Sequence, residues 1–170
     1  MSYSLERGFS IVELMIALGV AGLLTAIGVP ALRNFTVQQR IVTASQELQL
    51  DMAYARSEAI TRADNVSVCT STDGASCTSS GWAGARIVFV DSNQNGTVDG
   101  TDVMLQQSDA PASGVTVTPA PAGEFVSFNS RGQVNQPTVF SACYTGLKGR
   151  DLTVRSTGNP SISTPVAVCP

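Results

Sequence analysis

The sequence predicts an α+β protein: a long N-terminal α-helix, transmembrane in its first half, packed on a β-rich globular head with two disulfides. Three observations carry this. The stretch Phe9 to Leu32 holds a single charged residue, an apolar period of three and four continues behind it to Ala59, and past Asp64 that period gives way to short β-branched runs broken by Gly, Ser, Asn and Asp.

The helix comes first. FSIVELMIALGVAGLLTAIGVPAL spans residues 9–32, about 36 Å at 1.5 Å per residue, enough to cross a bilayer core. It exceeds the usual apolar region of a secretory signal, and the flank Arg33-Asn34-Phe35 offers no small-residue cleavage site. Residues 33–63 then read as an amphipathic continuation, with Val37, Ile41, Ala44, Leu48, Met52, Ala55 and Ala59 on one face. Polar residues, among them Gln38, Arg40, Ser45, Gln49 and Asp51, take most of the other positions. Pro30 removes a backbone hydrogen bond inside the helix and predicts a bend. Gly19, Gly22 and Gly28 permit close helix packing.

Glu13 is the residue in this run that needs a reason, because a carboxylate in hydrocarbon costs several kcal/mol without a partner. Two readings stand on physics alone. Either Glu13 meets an opposite charge in an assembly, or it sits at headgroup level and is solvated.

The head, residues 64–170, carries eight predicted strands: 66–70, 85–90, 103–108, 115–118, 124–129, 138–144, 152–156 and 166–169. Pro111, Pro119 and Pro121 mark 110–123 as loop or edge rather than central strand. Cys69, Cys77, Cys143 and Cys169 all fall here, an even count that indicates an oxidising compartment. The connectivity is open; local pairing, 69 with 77 and 143 with 169, is the expectation. Closing the larger loop would stabilise by roughly 3 to 4 kcal/mol in the chain-entropy model. A zinc site of four thiolates is the alternative, without a CxxC knuckle to support it.

In Asp91 to Asp102, oxygen-bearing residues occupy positions 1, 3, 5, 9 and 12 and glycine position 6, the spacing of a calcium loop. Position 12 is Asp102 rather than Glu, and the flanks read as strands. The competing reading is a hairpin loop whose Asx side chains bond their own backbone, Asn95-Gly96 supplying positive φ. No cofactor is otherwise expected.

Composition narrows the function classes. Histidine is absent, removing the commonest general base and neutral metal ligand, and no Ser-x-x-Lys or paired-acid motif replaces it, so no catalytic residue and no enzyme is expected. Ten basic against thirteen acidic residues give net −3, without the basic excess of a nucleic-acid binder.

The run Gly8-Phe9-Ser10-Ile11-Val12-Glu13-Leu14-Met15 resembles the leader-peptidase site of type IV pilins and type II secretion pseudopilins. That resemblance implies a leader, residues 1–8, removed by a prepilin peptidase between Gly8 and Phe9, N-methylation of Phe9, and pairing of Glu13 with the N-terminal ammonium of a neighbouring subunit. The head, with Gly81-Trp82, VFVDSNQNGTVDGTD and a C-terminal cysteine pair, is similar to the FimT/GspH family, which includes FimU-like minor pilins. The resemblance implies a minor type IV pilin of a priming or tip complex that promotes pilus assembly, with twitching motility or adhesion as its output. It implies other minor pilins, the major pilin, the processing peptidase and methyltransferase as partners. It also implies the inner membrane of a Gram-negative bacterium with the head in the periplasm, then a pilus at the cell surface. A type II secretion pseudopilin and a pilus-tip DNA-uptake receptor are the alternatives. DNA is not an expected partner, because Gly158-Asn159-Pro160-Ser161 stands where DNA-binding relatives carry a basic GRxR-type motif, leaving only the scattered Arg131, Lys148, Arg150 and Arg155.

Overall fold

A computed structural model describes residues 10–78, 81–100, 102–110, 114–163 and 169, with Pro30 described by its backbone only. Helix α1 is Ile11–Arg62 and runs through Pro30 as one element. The expected helix start at Phe9 lies outside the described residues. Its end is a Schellman closure: Asp64 N–H donates to the Ala59 carbonyl and Ala63 N–H to that of Ile60, both at 3.3 Å, with Ala63 at φ 53°.

The chain divides into two compact units, Met1–Val37 and Gln38–Pro170. In the first, α1 exposes its apolar side chains all round, Ile11 to 77% and Leu32 to 67%. Length and composition suffice for a membrane span.

In the second unit, two antiparallel four-stranded sheets share the core with the rest of α1. One has the order β3-β2-β1-β5, from β1 (Val66–Ser71), β2 (Ala85–Val90), β3 (Met104–Ser108) and β5 (Phe125–Phe128). The other has the order β4-β6-β7-β8, from β4 (Thr116–Ala120), β6 (Thr138–Cys143), β7 (Arg150–Val154) and β8 (Pro160–Ile162). The helix stripe predicted from spacing is the one buried: Ile41, Met52, Ala55 and Ala59 are 0% exposed and pack with Val66, Phe128, Phe140 and Leu152. Each large apolar side chain buried this way contributes about 1.5 to 3 kcal/mol.

Every residue of β1 is buried, because the sheet is covered on both faces. Val66 and Val68 enter the shared core, while Cys69 joins Ile87 and Phe89 in a second cluster under Cys77 and Val98. Pro119 lies within β4, opposite Phe140. It is tolerated because β4 is an edge strand with no second neighbour to supply.

The strand readings differ in three places. β7 starts and ends two residues earlier than predicted, because Arg155 to Gly158 form a turn closed by Gly158 N–H donating to the Arg155 carbonyl at 2.7 Å. β8 was not predicted; three residues with a leading proline carry too little periodicity to register. Of the strand predicted at 166–169, only Cys169 is among the described residues, and it is not in a strand.

Candidate assembly segment and head surfaces

Gly8 and Phe9, the predicted processing residues, lie outside the described residues. Glu13 is exposed in the first turn of α1. Ser10 stands just ahead of that turn, and the Ser10 carbonyl accepts the first helical bond from Leu14 N–H at 3.1 Å. A carboxylate there also complements the positive end of the helix dipole. Among the described residues Glu13 makes no ion pair.

Both disulfides have the local connectivity, Cys69 to Cys77 and Cys143 to Cys169, with Cα separations of 5.6 and 5.7 Å. The first closes the turn after β1. There the Asp73 carboxylate is held well below the usual carboxylate range by the Ala75 backbone N–H, then by the Ser76 hydroxyl and N–H and the Ser71 hydroxyl. The second fixes Cys169 beside β6.

The connection between β2 and β3 holds three carboxylates, of which Asp91 is buried, Asp102 half-buried and Asp99 exposed. Asp91 is fully buried; its Oδ1 accepts from Asn95 N–H at 3.1 Å, and its Oδ2 from Gly96 N–H at 3.0 Å and Ser67 Oγ at 2.6 Å. Asn95 Oδ1 accepts from Thr97 N–H at 2.8 Å, and Asp99 Oδ2 from Asn95 Nδ2 at 2.7 Å. This is the hydrogen-bonded hairpin reading in detail. Positive φ falls on Gln94 and Gly96, at 59° and 71°, rather than on Asn95. A Cβ at Gly96 would lie 2.2 Å from the Phe125 ring, so glycine is required there twice over. Among the described residues no three acidic, cysteine or histidine groups converge as metal ligands.

The Gly158 to Ser161 stretch is structural. Gly158 has φ 74°, and a Cβ on it would lie 1.8 Å from the Gly132 carbonyl oxygen, which also accepts from Arg56 Nε at 3.2 Å. Arg131, Lys148 and Arg155 are exposed, and Arg150 is half-buried in β7.

Two features escaped the sequence reading. Asp51 and Ser45, assigned to the polar side of the helix, are both buried to 2% exposure. Ser45 Oγ donates back to the Ile41 carbonyl at 2.9 Å. Asp51 receives Arg86 Nε from β2 at 2.6 Å, Ser108 Oγ at 2.6 Å and Gln106 Nε2 at 3.1 Å. A buried ion pair thus joins α1 to the first sheet. The second feature is Trp82, buried with its Nε1 donating to the Gly123 carbonyl at 2.8 Å, which fixes the 119–124 turn against the head.

An exposed apolar N-terminal helix that continues into the core of a disulfide-bonded β head is the architecture of a pilin-like protein. The family model described as Type II transport protein GspH matches residues 44–158, and the one described as Prokaryotic N-terminal methylation motif matches residues 3–29. The chain belongs to the GspH family. It is 26% identical over 119 residues to a fimbrial protein of Pseudomonas aeruginosa, covering 66% of this chain and 77% of that one. The crystal structure of the Pseudomonas aeruginosa type IV minor pilin FimU superposes with a TM-score of 0.63 at 22% identity, covering 79% of this chain and 98% of that one. A second crystal form of FimU gives 0.58 at 21% identity, over 75% of this chain and 98% of that one. These relatives are structural pilin subunits and not enzymes.

Proposed function

We propose that this chain is a minor type IV pilin, made as a precursor, cleaved between Gly8 and Phe9, N-methylated at Phe9, and built through its N-terminal helix into a priming or tip complex with other minor pilins and the major pilin. The observation that carries this is the first compact unit: a helix with apolar side chains on all faces and one acid, Glu13, without an ion-pair partner among the described residues. Such a surface needs lipid or other helices of the same kind around it. A neighbouring N-terminal ammonium within about 4 to 6 Å would keep Glu13 charged and set the register between subunits. Before assembly the same helix would hold the chain in the inner membrane with its head in the periplasm.

The test is Glu13→Ala in the producing bacterium, with processing followed by mass spectrometry and surface pili counted by electron microscopy. Normal processing with few or no pili is expected. Pili in normal number would rule out the register role.

A second reading, a type II secretion pseudopilin, is favoured by the description of the family model itself. A photocrosslinker at Leu50, which is 67% exposed on the head-bound part of α1, separates the two. Crosslinks to pilins support the pilus; crosslinks confined to secretion pseudopilins replace it.

A further inference from the structure

Three arginines far apart in sequence are brought to one end of the head. Arg56 lies on α1, Arg131 in the turn after β5, and Arg155 at the start of the turn after β7. The two turns touch. A Cβ on Gly158 would lie 1.8 Å from the Gly132 carbonyl oxygen, and Val134 N–H donates to the Ser156 carbonyl at 3.2 Å. Arg56 is laid against that contact, its Nε donating to the Gly132 carbonyl at 3.2 Å. Arg131 directly precedes Gly132, and the Arg155 carbonyl accepts from Gly158 N–H at 2.7 Å, which ties both arginines to the place where Arg56 docks. Ile60, one turn further along α1, belongs to the same surface: its Cδ1 would be 2.7 Å from a Cβ on Gly132, and it is 49% exposed.

The charge here is not neutralised. Arg131 and Arg155 are exposed and Arg56 is half-buried, and none of the three makes an ion pair among the described residues. Neither turn contains an acid, and Glu58, the acid on this stretch of α1, is held by Arg62 at 2.7 Å. In a chain of net charge −3, this is a local cationic surface around an exposed aliphatic side chain.

We propose that this surface docks an acidic segment of a partner protein, one that carries an apolar side chain between its carboxylates. Guanidinium groups present planar forks that match carboxylates two bonds at a time. An apolar centre with arginines around it is the composition of a protein interface, where arginine is enriched and the rim is polar. A nucleic acid would use the arginines but leave Ile60 in water, and its further phosphates would meet an otherwise acidic chain. A small free anion would leave Ile60 uncovered in the same way.

The probe is the acetylated, amidated peptide Glu-Glu-Asp-Leu-Asp-Glu-Glu, titrated into the full chain in zwitterionic phosphocholine micelles at low salt and followed by the amide NMR shifts of Gly132 and Gly158. A saturable shift with a Kd on the order of 1 mM is expected. Arg131→Gln and Arg155→Gln should each weaken it about threefold to fivefold, and both should melt with the wild type, since neither side chain makes a hydrogen bond among the described residues. Replacing the peptide's Leu by Ser should weaken binding about fivefold. Lys148→Gln is the charge control: the Lys148 carbonyl accepts from Gln38 Nε2, and Gln38 precedes Arg56 by about 27 Å along α1, so this variant should bind as the wild type does. The proposal is overturned by no saturable shift up to about 5 mM peptide, by full affinity in both arginine variants, or by an equal loss in Lys148→Gln. It is overturned equally by the same affinity for the Leu and Ser peptides, or by a short DNA duplex that binds this surface more tightly than the peptide does.

Discussion

Removing Asp51 should destabilise the head far more than a helix-surface acid would. The Arg86 and Asp51 side chains are 1% and 3% exposed, and Arg86 Nη2 already lacks a partner. Asp51→Ala therefore leaves a guanidinium buried with only the Gly84 carbonyl, at 3.4 Å, to accept from it. Breaking a buried pair from one side costs about 3 to 5 kcal/mol, and the better helix propensity of alanine returns about 0.5. A net loss of about 3 to 4 kcal/mol lowers the melting temperature by about 12 to 16 °C for a unit of this size. Trp82 emission in a thermal melt reads the head selectively. Arg86→Met alone should also destabilise, leaving a buried carboxylate held only by Gln106 and Ser108. The double variant decides the matter: with both charges gone, the cost should fall to about 1 to 2 kcal/mol, from the unpaired Gln106 and Ser108 groups. If the double variant melts as low as the two single losses summed, or if Asp51→Ala melts within about 2 °C of wild type, the ion pair is not an interacting unit and the reasoning fails.

Two further outcomes follow from backbone and charge. Gly158→Ala places a Cβ at φ 74° and against the Gly132 carbonyl; a loss of about 3 kcal/mol or more is expected in the same melt, whereas Gly146→Ala, at φ 80° with open space around it, should cost about 1 to 2. The Asp73 carboxyl has a folded-state pKa below its unfolded value, so its contribution is present above the ordinary carboxylate pKa of about 3.9 and is lost as pH falls through the depressed folded value. An NMR titration of that carboxyl should show a midpoint well below the ordinary carboxylate value, and Asp73→Asn should speed amide exchange at Ala75 and Ser76 at neutral pH.

Periodicity made most of the fold legible. Six of the seven apolar positions at helical spacing, Ile41 to Ala59, form the buried stripe, and β-branched runs located seven of the eight strands to within about two residues. Asp51 shows where pattern reading stops. It lies three residues past Leu48 and four before Ala55, so its spacing places it on the buried face; its charge sent the reading the other way. What reverses the sign is Arg86, 35 residues along the chain on β2, and no local window contains that partner. The hairpin loop was different: the calcium-like spacing and the Asx-turn reading use the same residues, and spacing alone does not say that Asp91 accepts from Asn95, Gly96 and Ser67.

Under the proposed reading, Glu13 has opposite energetic signs in the two places the helix would occupy. In hydrocarbon a central carboxylate costs about 2.5 to 3.5 kcal/mol on insertion scales, a penalty reduced near the headgroups. In a filament an adjacent ammonium in a low-dielectric helix bundle offsets that desolvation. The apolar side chains around it, from Ile11 to Leu32, do not discriminate in this way, because lipid tails and neighbouring helices solvate them about equally. The difference between membrane and filament would then rest disproportionately on one acid in the first turn. That explains why a helix otherwise suited to remain in the bilayer would carry it: the same charge that weakens membrane residence rewards the one register in which it meets a neighbour's N-terminus.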